Sequence, residues 1–301
     1  MLAVAAHSGA MADPRRAVAS NVEGDFFVDA TCIDCDTCRQ IAPEVFARTR
    51  SELSFVKRQP EGARVTHRAA MALVACPTAS IGGAPKSAAR AAAHSFPESI
   101  TRKVLYCGYA SLDSYGASSY LILRPAGNVL VDSPRAASPL LDRIAELGGV
   151  SRMFLSHADD VADHSAFRRR FGCERILHAA DERAGTRDVE YKLIGNDPVR
   201  LDDDLLAIPV PGHTRGSTAL LFRDELLFTG DHLWFSATHG RLHASRSVCW
   251  YSWREQIRSM ERLLDFRFEC VLPGHGRRFR ATSAAAMRTE LTRLLTVMRR
   301  H

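Results

Sequence analysis

Cys32, Cys35 and Cys38 stand two residues apart from one another, and a Cys76-Pro77 pair returns far downstream. Three thiolates at that spacing can wrap one face of an iron–sulfur cube while backbone amides point at its sulfides, and a distant Cys closes the fourth iron. Buried free thiols or a zinc knuckle are the alternatives; the even spacing and the Cys-Pro return favour the cluster. The other four of the eight cysteines, Cys107, Cys173, Cys249 and Cys270, are solitary beside apolar runs and are expected in the core. Short-spaced cysteines in a chain whose opening Met1–Ala6 lacks a basic n-region read as metal binding, not as a disulfide scaffold, and imply a reducing cytoplasm.

Around these cysteines the chain divides into four stretches. Residues 1–21 are Ala-rich with Arg15-Arg16 and are expected to form a flexible extension. Residues 22–81 carry strand-like runs at Phe26–Asp29 and Glu52–Val56, a helix at Cys38–Phe46 and an amphipathic stretch at Arg64–Ala75. So small a unit needs a staple, which the cysteines can supply. Residues 82–102 contain Gly82-Gly83-Ala84-Pro85 and an Ala-rich run ending at Phe96-Pro97, and read as a linker or a loosely docked segment. From 103 to 301 strands come first, with Gly127-Asn128 as the turn of a hairpin, and helices then alternate irregularly with strands. That pattern suits mixed sheets flanked by helices, an α+β class.

Composition narrows the function classes. The 301 residues are 46% hydrophobic and 25% charged, so the chain is globular rather than disordered. No apolar run reaches the length of a membrane span. The net charge of +6 comes mainly from scattered arginines, with Lys only at 57, 86, 103 and 192. Without a basic stripe, neither nucleic acid nor membrane is expected as a partner; acidic small molecules fit the charge better.

The cysteine region resembles the single-cluster bacterial-type ferredoxins over residues 22–81. The motif C-x2-C-x2-C-x3-A-P runs from Cys32 to Pro43, and Ala42 stands where two-cluster relatives carry a further Cys. The resemblance implies one [4Fe-4S] cluster on Cys32, Cys35, Cys38 and Cys76, and a small ferredoxin-like α+β domain. Asp34 and Asp36 flank the central ligand, and their charge is expected to lower the cluster's potential.

The second half holds metal-binding residue types at strand ends: His157 to His164, Gly212-His213-Thr214, Gly230-Asp231 and Gly274-His275-Gly276. Imidazoles and carboxylates on turns at strand ends are how a rigid sheet aims several ligands at one point. Residues 103–280 resemble the metallo-β-lactamase superfamily, particularly its glyoxalase II-like hydrolases. The resemblance implies an αββα sandwich with two divalent metal ions, zinc or iron, at one edge. It assigns His157 and His213 to one metal, Asp163, His164 and His275 to the other, and Asp231 to both. The first motif departs from H-x-H-x-D-H: Asp159 replaces the second His, and Asp163 falls two residues late, with Asp160 an alternative ligand. A carboxylate at 159 is harder than imidazole and tips the preference from zinc toward iron or manganese.

The expected function is a binuclear hydrolase of a small-molecule ester or thioester, with Asp163 or Asp160 handling the water's proton. The alternative is an iron-dependent oxidoreductase in which the cluster, supplied by a redox partner, feeds electrons to a di-iron site. The remaining histidines are expected to be exposed, except that His232, His239 and His243 could approach the site mouth. Trp234, Trp250 and Trp253 are expected at the sheet edge or lining the pocket.

Overall fold

The computed structural model describes residues 11–300. The first part is built from β1 (Phe27–Val28), α1 (Thr37–Ile41), β2 (Phe46–Arg48), β3 (Ser54–Val56), α2 (Gly62–Ala75), β4 (Ile81–Gly82) and α3 (Lys86–Ala93). β1 pairs antiparallel with β4, and β2 with β3. The helix expected over Cys38–Phe46 is short because Pro43 keeps Ala42 out of the helical region, and Phe46 then opens a strand instead. Residues 11–21 are not a loose extension. Asn21 accepts from the amides of Val28 and Val56 at 3.1 and 2.9 Å, and Val18 N donates to Val28 O at 2.8 Å. The rest of that stretch, residues 1–10, lies outside the described residues.

The second part opens with a seven-stranded sheet of β5 (Glu98–Ser99), β6 (Val104–Tyr106), β7 (Tyr120–Ile122), β8 (Val129–Val131), β9 (Arg152–Phe154), β10 (Glu174–His178) and β11 (Tyr191–Leu193). The strands from β5 to β8 run antiparallel, and those from β8 to β11 parallel. Helices α4 (Ser138–Glu146) and α5 (His164–Phe171) belong to this half. The six-stranded sheet contains β12 (Val199–Asp202), β13 (Leu205–Pro209), β14 (Thr218–Phe222), β15 (Leu226–Gly230), β18 (Cys270–Pro273) and β19 (Phe279–Arg280). The hairpin β16 (Trp234–Ser236) and β17 (Arg241–His243) lies between β15 and β18 in sequence, followed by α6 (Trp253–Arg262), while α7 (Ala284–Met298) comes after β19.

The strands of the second sheet are apolar at nearly every position because both of their faces are covered. Side chains alternate along a strand. Leu220, Phe222, Leu226, Phe228 and Leu272 join the core between the sheets, while Ala219, Leu221, Leu227 and Val271 join a second core that includes Met260, Leu291 and Leu295 of α6 and α7. Tyr120 and Phe228, one from each sheet, pack with ring centroids 5.4 Å apart. This is the expected sandwich of two sheets between helices. Among the described residues no helix is long and apolar enough to cross a membrane.

The segment 82–102, expected as a linker, is built into the molecule. β5 extends the seven-stranded sheet, and Phe96 is fully buried with its ring against Tyr106 and Tyr109 at 6.0 and 5.8 Å. The apolar core runs without a break from Phe26 and Val28 through Phe96 to Leu272. Phe96→Ala should therefore destabilise the whole chain by about 3–5 kcal/mol in urea unfolding. A loosely docked segment would tolerate the change.

Candidate functional site

The four cluster-type cysteines line one small pocket with Val28, Thr37, Ser54, Thr78 and Ile81. Ser54 N donates to Cys32 Sγ at 3.3 Å, and the thiols of Cys35 and Cys38 reach Thr37 and Ser54 hydroxyls at 3.4 and 3.3 Å. Burial pushes the Cys35 thiol up to about 11 and the Cys38 thiol higher still. As free thiols these groups are inert, and only a cation would offset the cost of deprotonating them there. Asp34 and Asp36, expected to burden the cluster with negative charge, are compensated. Arg39 and Arg48 bond Asp34 at 2.7 and 2.5 Å, and Arg39 and Arg277 bond Asp36 at 2.5 and 2.9 Å. The expected lowering of potential is thus opposed by three guanidinium groups.

The strand-end residues of the second half meet at one point. His157 follows β9, His213 follows β13, Asp231 follows β15 and His275 follows β18. Asp231 Oδ2 lies 3.9, 3.8 and 3.8 Å from the Nε2 atoms of His157, His213 and His275, and Asp159 Oδ2 lies 3.4 Å from His213 Nε2. Possible ligand atoms of His157, Asp159 and His213 fall within 4.8 Å of one another, as do those of His157, Asp160 and Asp231. His157 Nε2, His213 Nε2, Asp160 Oδ2 and Asp231 Oδ1 are buried without a hydrogen-bond partner. His213 Nδ1–H donates to Val248 O at 2.6 Å, which leaves Nε2 free to face the centre. These donors fit a divalent metal.

The electrostatics agree. Burial together with the charges of Asp231, Asp132 and Asp159 holds Asp160 well above the ordinary carboxylate range, and burial beside Asp231 raises Asp132 to about 7. Burial lowers His157. For His213 burial works in the same direction, but the bond to Asp159 and the Asp231 charge outweigh it and raise the value. Carboxylates crowded so closely are what a bound cation would neutralise.

Asp163 and His164 do not join this centre. Asp163 Oδ2 accepts from Ala136 N at 2.8 Å. His164 opens α5, donates Nε2–H to Gly185 O at 3.1 Å and accepts from buried Arg175 on Nδ1 at 3.0 Å. Both ring nitrogens are engaged by Gly185 and Arg175, so neither is turned toward the centre. The adjacent pair Asp159 and Asp160 supplies the carboxylates instead. Gly274 permits this approach, because a Cβ there would stand 2.6 Å from Asp160 Oδ2 and 2.9 Å from Asp231 Oδ1.

Two supporting residues escaped the motif reading. Asp181 is fully buried and accepts from Ala158 N at 2.9 Å, Thr214 Oγ1 at 2.5 Å and Gly216 N at 2.7 Å, tying the His157 loop to the His213 loop. Gly216 allows it, since a Cβ would meet the Asp181 carboxyl carbon at 2.7 Å. Asp132 accepts from Ser156 N at 2.7 Å, just before His157. No local pattern marks either residue. Of the other histidines, His178 is buried rather than exposed, bonding Gly195 O at 2.8 Å and Ala180 N at 3.1 Å. His232 is buried beneath the site instead of at its mouth, and burial drives it down to about 3. Cys107, Cys173 and Cys270 are in the core; Cys249 is half-buried and donates to Gly212 O.

A cavity of about 1290 Å³ opens over the centre. Asp159, Asp160, His213, Asp231 and His275 line it, and so do Asp34, Cys35 and Asp36 of the cluster half. Trp234 and Trp250 line it too, with Trp250 66% exposed, whereas Trp253 bonds Met298 O of α7.

Comparison with known proteins agrees with this architecture. Residues 28–83 match the family described as the 4Fe-4S single cluster domain of ferredoxin I. Over 131 residues, 40% of this chain, the sequence is 36% identical to a hydroxyacylglutathione hydrolase of Anaeromyxobacter dehalogenans (strain 2CP-C). The match covers 49% of that protein, so the chain spans about half the length of this curated relative. The crystal structure of the metallo-β-lactamase FIM-1 from Pseudomonas aeruginosa in its mono-zinc form superposes with a TM-score of 0.50 and 16% identity, covering 66% of this chain and 93% of that one. The structure of ETHE1 from Myxococcus xanthus gives a TM-score of 0.46 and 22% identity, over 64% of this chain and 85% of that one. The second part has the metallo-β-lactamase fold, and residues 28–83 match a 4Fe-4S single-cluster domain.

Two outcomes follow from the geometry. Asp181→Ala strands three buried donors, each costing about 1–3 kcal/mol, so urea unfolding should show a large loss and the chelator-sensitive metal content should fall. Asp132 gives a pH dependence. A carboxyl raised from about 4 to about 7 on folding contributes stability that is present below pH 4 and lost as pH rises through 7. In chelator, Asp132→Asn keeps the oxygen that accepts from Ser156 N and should gain on wild type across that window. Parallel urea midpoints at all pH values would contradict the raised value.

Proposed function

We propose that the chain is a binuclear metal-dependent hydrolase of an ester or thioester of a small molecule. The observation that carries this reading is the convergence of buried, unpartnered ligand atoms from His157, His213, Asp160 and Asp231 beneath the cavity. The resemblance to a hydroxyacylglutathione hydrolase supports the bond class. His157, Asp159 and His213 would hold one ion and Asp160 and His275 the other, with Asp231 between them. When bound, two such ions activate water and polarise a carbonyl or phosphoryl oxygen. The chain's own residues do the rest. Val248 O fixes the His213 ring through Nδ1, Asp159 stands 3.4 Å from its Nε2, and the exposed faces of Trp250 and Tyr115 lining the cavity receive the apolar body of a substrate. Asp163, bonded to Ala136 N, takes no part in proton transfer. Cys32, Cys35, Cys38 and Cys76 would hold one [4Fe-4S] cluster.

A second reading has its own observation. Cys35 lines the same cavity as His213, Asp231 and His275, a placement that suits electron delivery and that hydrolysis does not need. In that case the enzyme is an oxidoreductase and iron occupies the centre.

Metal content and turnover separate these roles. His213→Ala should lose metal at the centre and at least about 100-fold in kcat/KM on a hydroxyacyl thioester, while the brown cluster persists. His164→Ala should keep both metal and turnover and lose about 1–3 kcal/mol of stability. Cys76→Ala should lose cluster iron and labile sulfide, and Cys173→Ala should not. Absence of thioester cleavage in metal-loaded wild type, with His213-dependent reoxidation of a dithionite-reduced cluster by dioxygen, would replace the hydrolase with the redox enzyme.

A further inference from the structure

His275 reaches the centre from the turn between β18 and β19, and that turn is gripped from both halves of the molecule. From its own half, Ser118 N donates to Gly274 O at 2.7 Å, Tyr120 Oη–H donates to Pro273 O at 2.7 Å, and Phe235 and Arg277 exchange backbone bonds at 2.9 and 3.0 Å. From the cluster half, Gln40 Nε2 donates to Gly276 O at 3.1 Å, and Asp36 accepts from Arg277 Nε at 2.9 Å and Nη2 at 3.4 Å. Gly276 and Arg277 are the two residues that follow His275. Asp36 is bonded covalently to Cys35, and Gln40 lies two residues beyond Cys38. One peptide of chain therefore separates a cluster cysteine from the side chain that holds the turn of a candidate metal ligand.

We propose that the two centres are thermodynamically linked through these contacts, so that a filled cluster site tightens metal binding on the His275 side and the reverse. Gln40 and Arg277 are the positioning residues of this linkage. The inference rests on the reading that His275 is a metal ligand. Its physical basis is the backbone of the cluster loop. Asp34 and Asp36, on either side of Cys35, both have positive φ, at 59° and 65°, a left-handed conformation that aspartate adopts more readily than most residues when its carboxylate is held by hydrogen bonds. Arg39, Arg48 and Arg277 give part of that restraint, and ligation of Cys35 and Cys38 would add to it. It fixes the carboxylate of Asp36 and the amide of Gln40, and through them the turn that presents His275 to Asp231. A loop relieved of its cluster releases Arg277 and Gly276, and His275 then loses two of its holds. Linkage is reciprocal, so metal in the second centre retains the cluster by the same factor.

The test uses the full chain with its cluster loaded. Zinc is titrated against a chromophoric chelator in wild type, in the Gln40→Ala/Arg277→Met double variant and in Arg277→Lys. The cluster's visible absorption confirms in each that the cluster half is folded. In the double variant one of the two zinc equivalents should weaken by about 5- to 150-fold, the usual span of coupling between sites. Arg277→Lys, which keeps the charge, should recover most of that loss. The cluster's midpoint potential should differ between zinc-free and zinc-loaded wild type, and the difference should shrink in the double variant. If the double variant is insoluble, Gln40→Ala alone is read in the same way, with a smaller weakening expected. Two zinc equivalents bound as tightly as in wild type would overturn the linkage and leave the centre standing. A wild type that binds no zinc, cobalt or iron outside the cluster would overturn the centre and the linkage together.

Discussion

Asp132, Asp160 and Asp231 are packed into one largely buried pocket, and their mutual repulsion is the constraint around which the second half is organised. Burial raises the proton affinity of Asp132 and Asp160, the Asp231 charge adds to both, and Asp132 adds further to Asp160. Three imidazoles, His157, His213 and His275, stand within 4 Å of the Asp231 carboxylate. A protein assembled only for stability would not collect these groups, because unpaired buried charge is costly. The surrounding structure is spent on holding them. Ser156 N anchors Asp132, Val248 O fixes the tautomer of His213, and Asp181 locks the two histidine loops together with three hydrogen bonds. Gly274 leaves room for two carboxylate oxygens where any side chain would collide. The sheets provide the rigidity, since every one of these loops leaves the end of a buried strand.

The cluster domain is not an appendage tethered at a distance. Its apolar core continues into that of the sandwich, and its cysteine loop forms one wall of the cavity over the histidine and aspartate centre. Arg277 contributes to both halves: its backbone pairs with Phe235 beneath the cavity, and its guanidinium meets Asp36 beside Cys35. Its charge also bears on the cluster. Arg39, Arg48 and Arg277 place three positive charges around the two negative ones of Asp34 and Asp36. A reduced cluster is more negative than an oxidised one, so this arrangement favours reduction more than the two aspartates alone would.

What could be read from the sequence follows from how local each signal is. The cysteine spacing is local, and the pocket gathers those four residues. His213, Asp231 and His275 were legible because each sits on a turn directly after an apolar run. Asp163 and His164, whose pairing looks like the familiar motif displaced by two residues, lie apart from the other candidate ligands. The chain instead begins α5 at His164, and Arg175 and Gly185 occupy both nitrogens of its ring. The linker reading of 82–102 failed for a similar reason. Its Ala-rich stretch has the helix propensity of α3, and Phe96 finds its core partners, Tyr106 and Tyr109, outside the segment. Asp181 and Arg277 carry no local mark at all, since their roles arise only when distant loops approach.

The same comparison explains the unusual composition of the centre. The familiar motif places ligands along a stretch that ends in a helix N-terminus, and here the chain cannot use that end, because His164 is committed to Arg175. Asp160 lies earlier in the loop and points into the pocket, so a carboxylate stands where the motif would supply a later Asp-His pair. With Asp159 replacing an imidazole as well, the proposed ligand set becomes three histidines and three aspartates. Oxygen donors in that proportion are harder than the histidine-rich set of the motif, and they shift the balance of affinities from zinc toward iron and manganese. The loss of imidazoles also leaves the centre more negative, which raises the demand for cationic charge nearby. On the cluster half, Lys57 lines the cavity together with Arg39 and Arg48, which are already paired with Asp34 and Asp36.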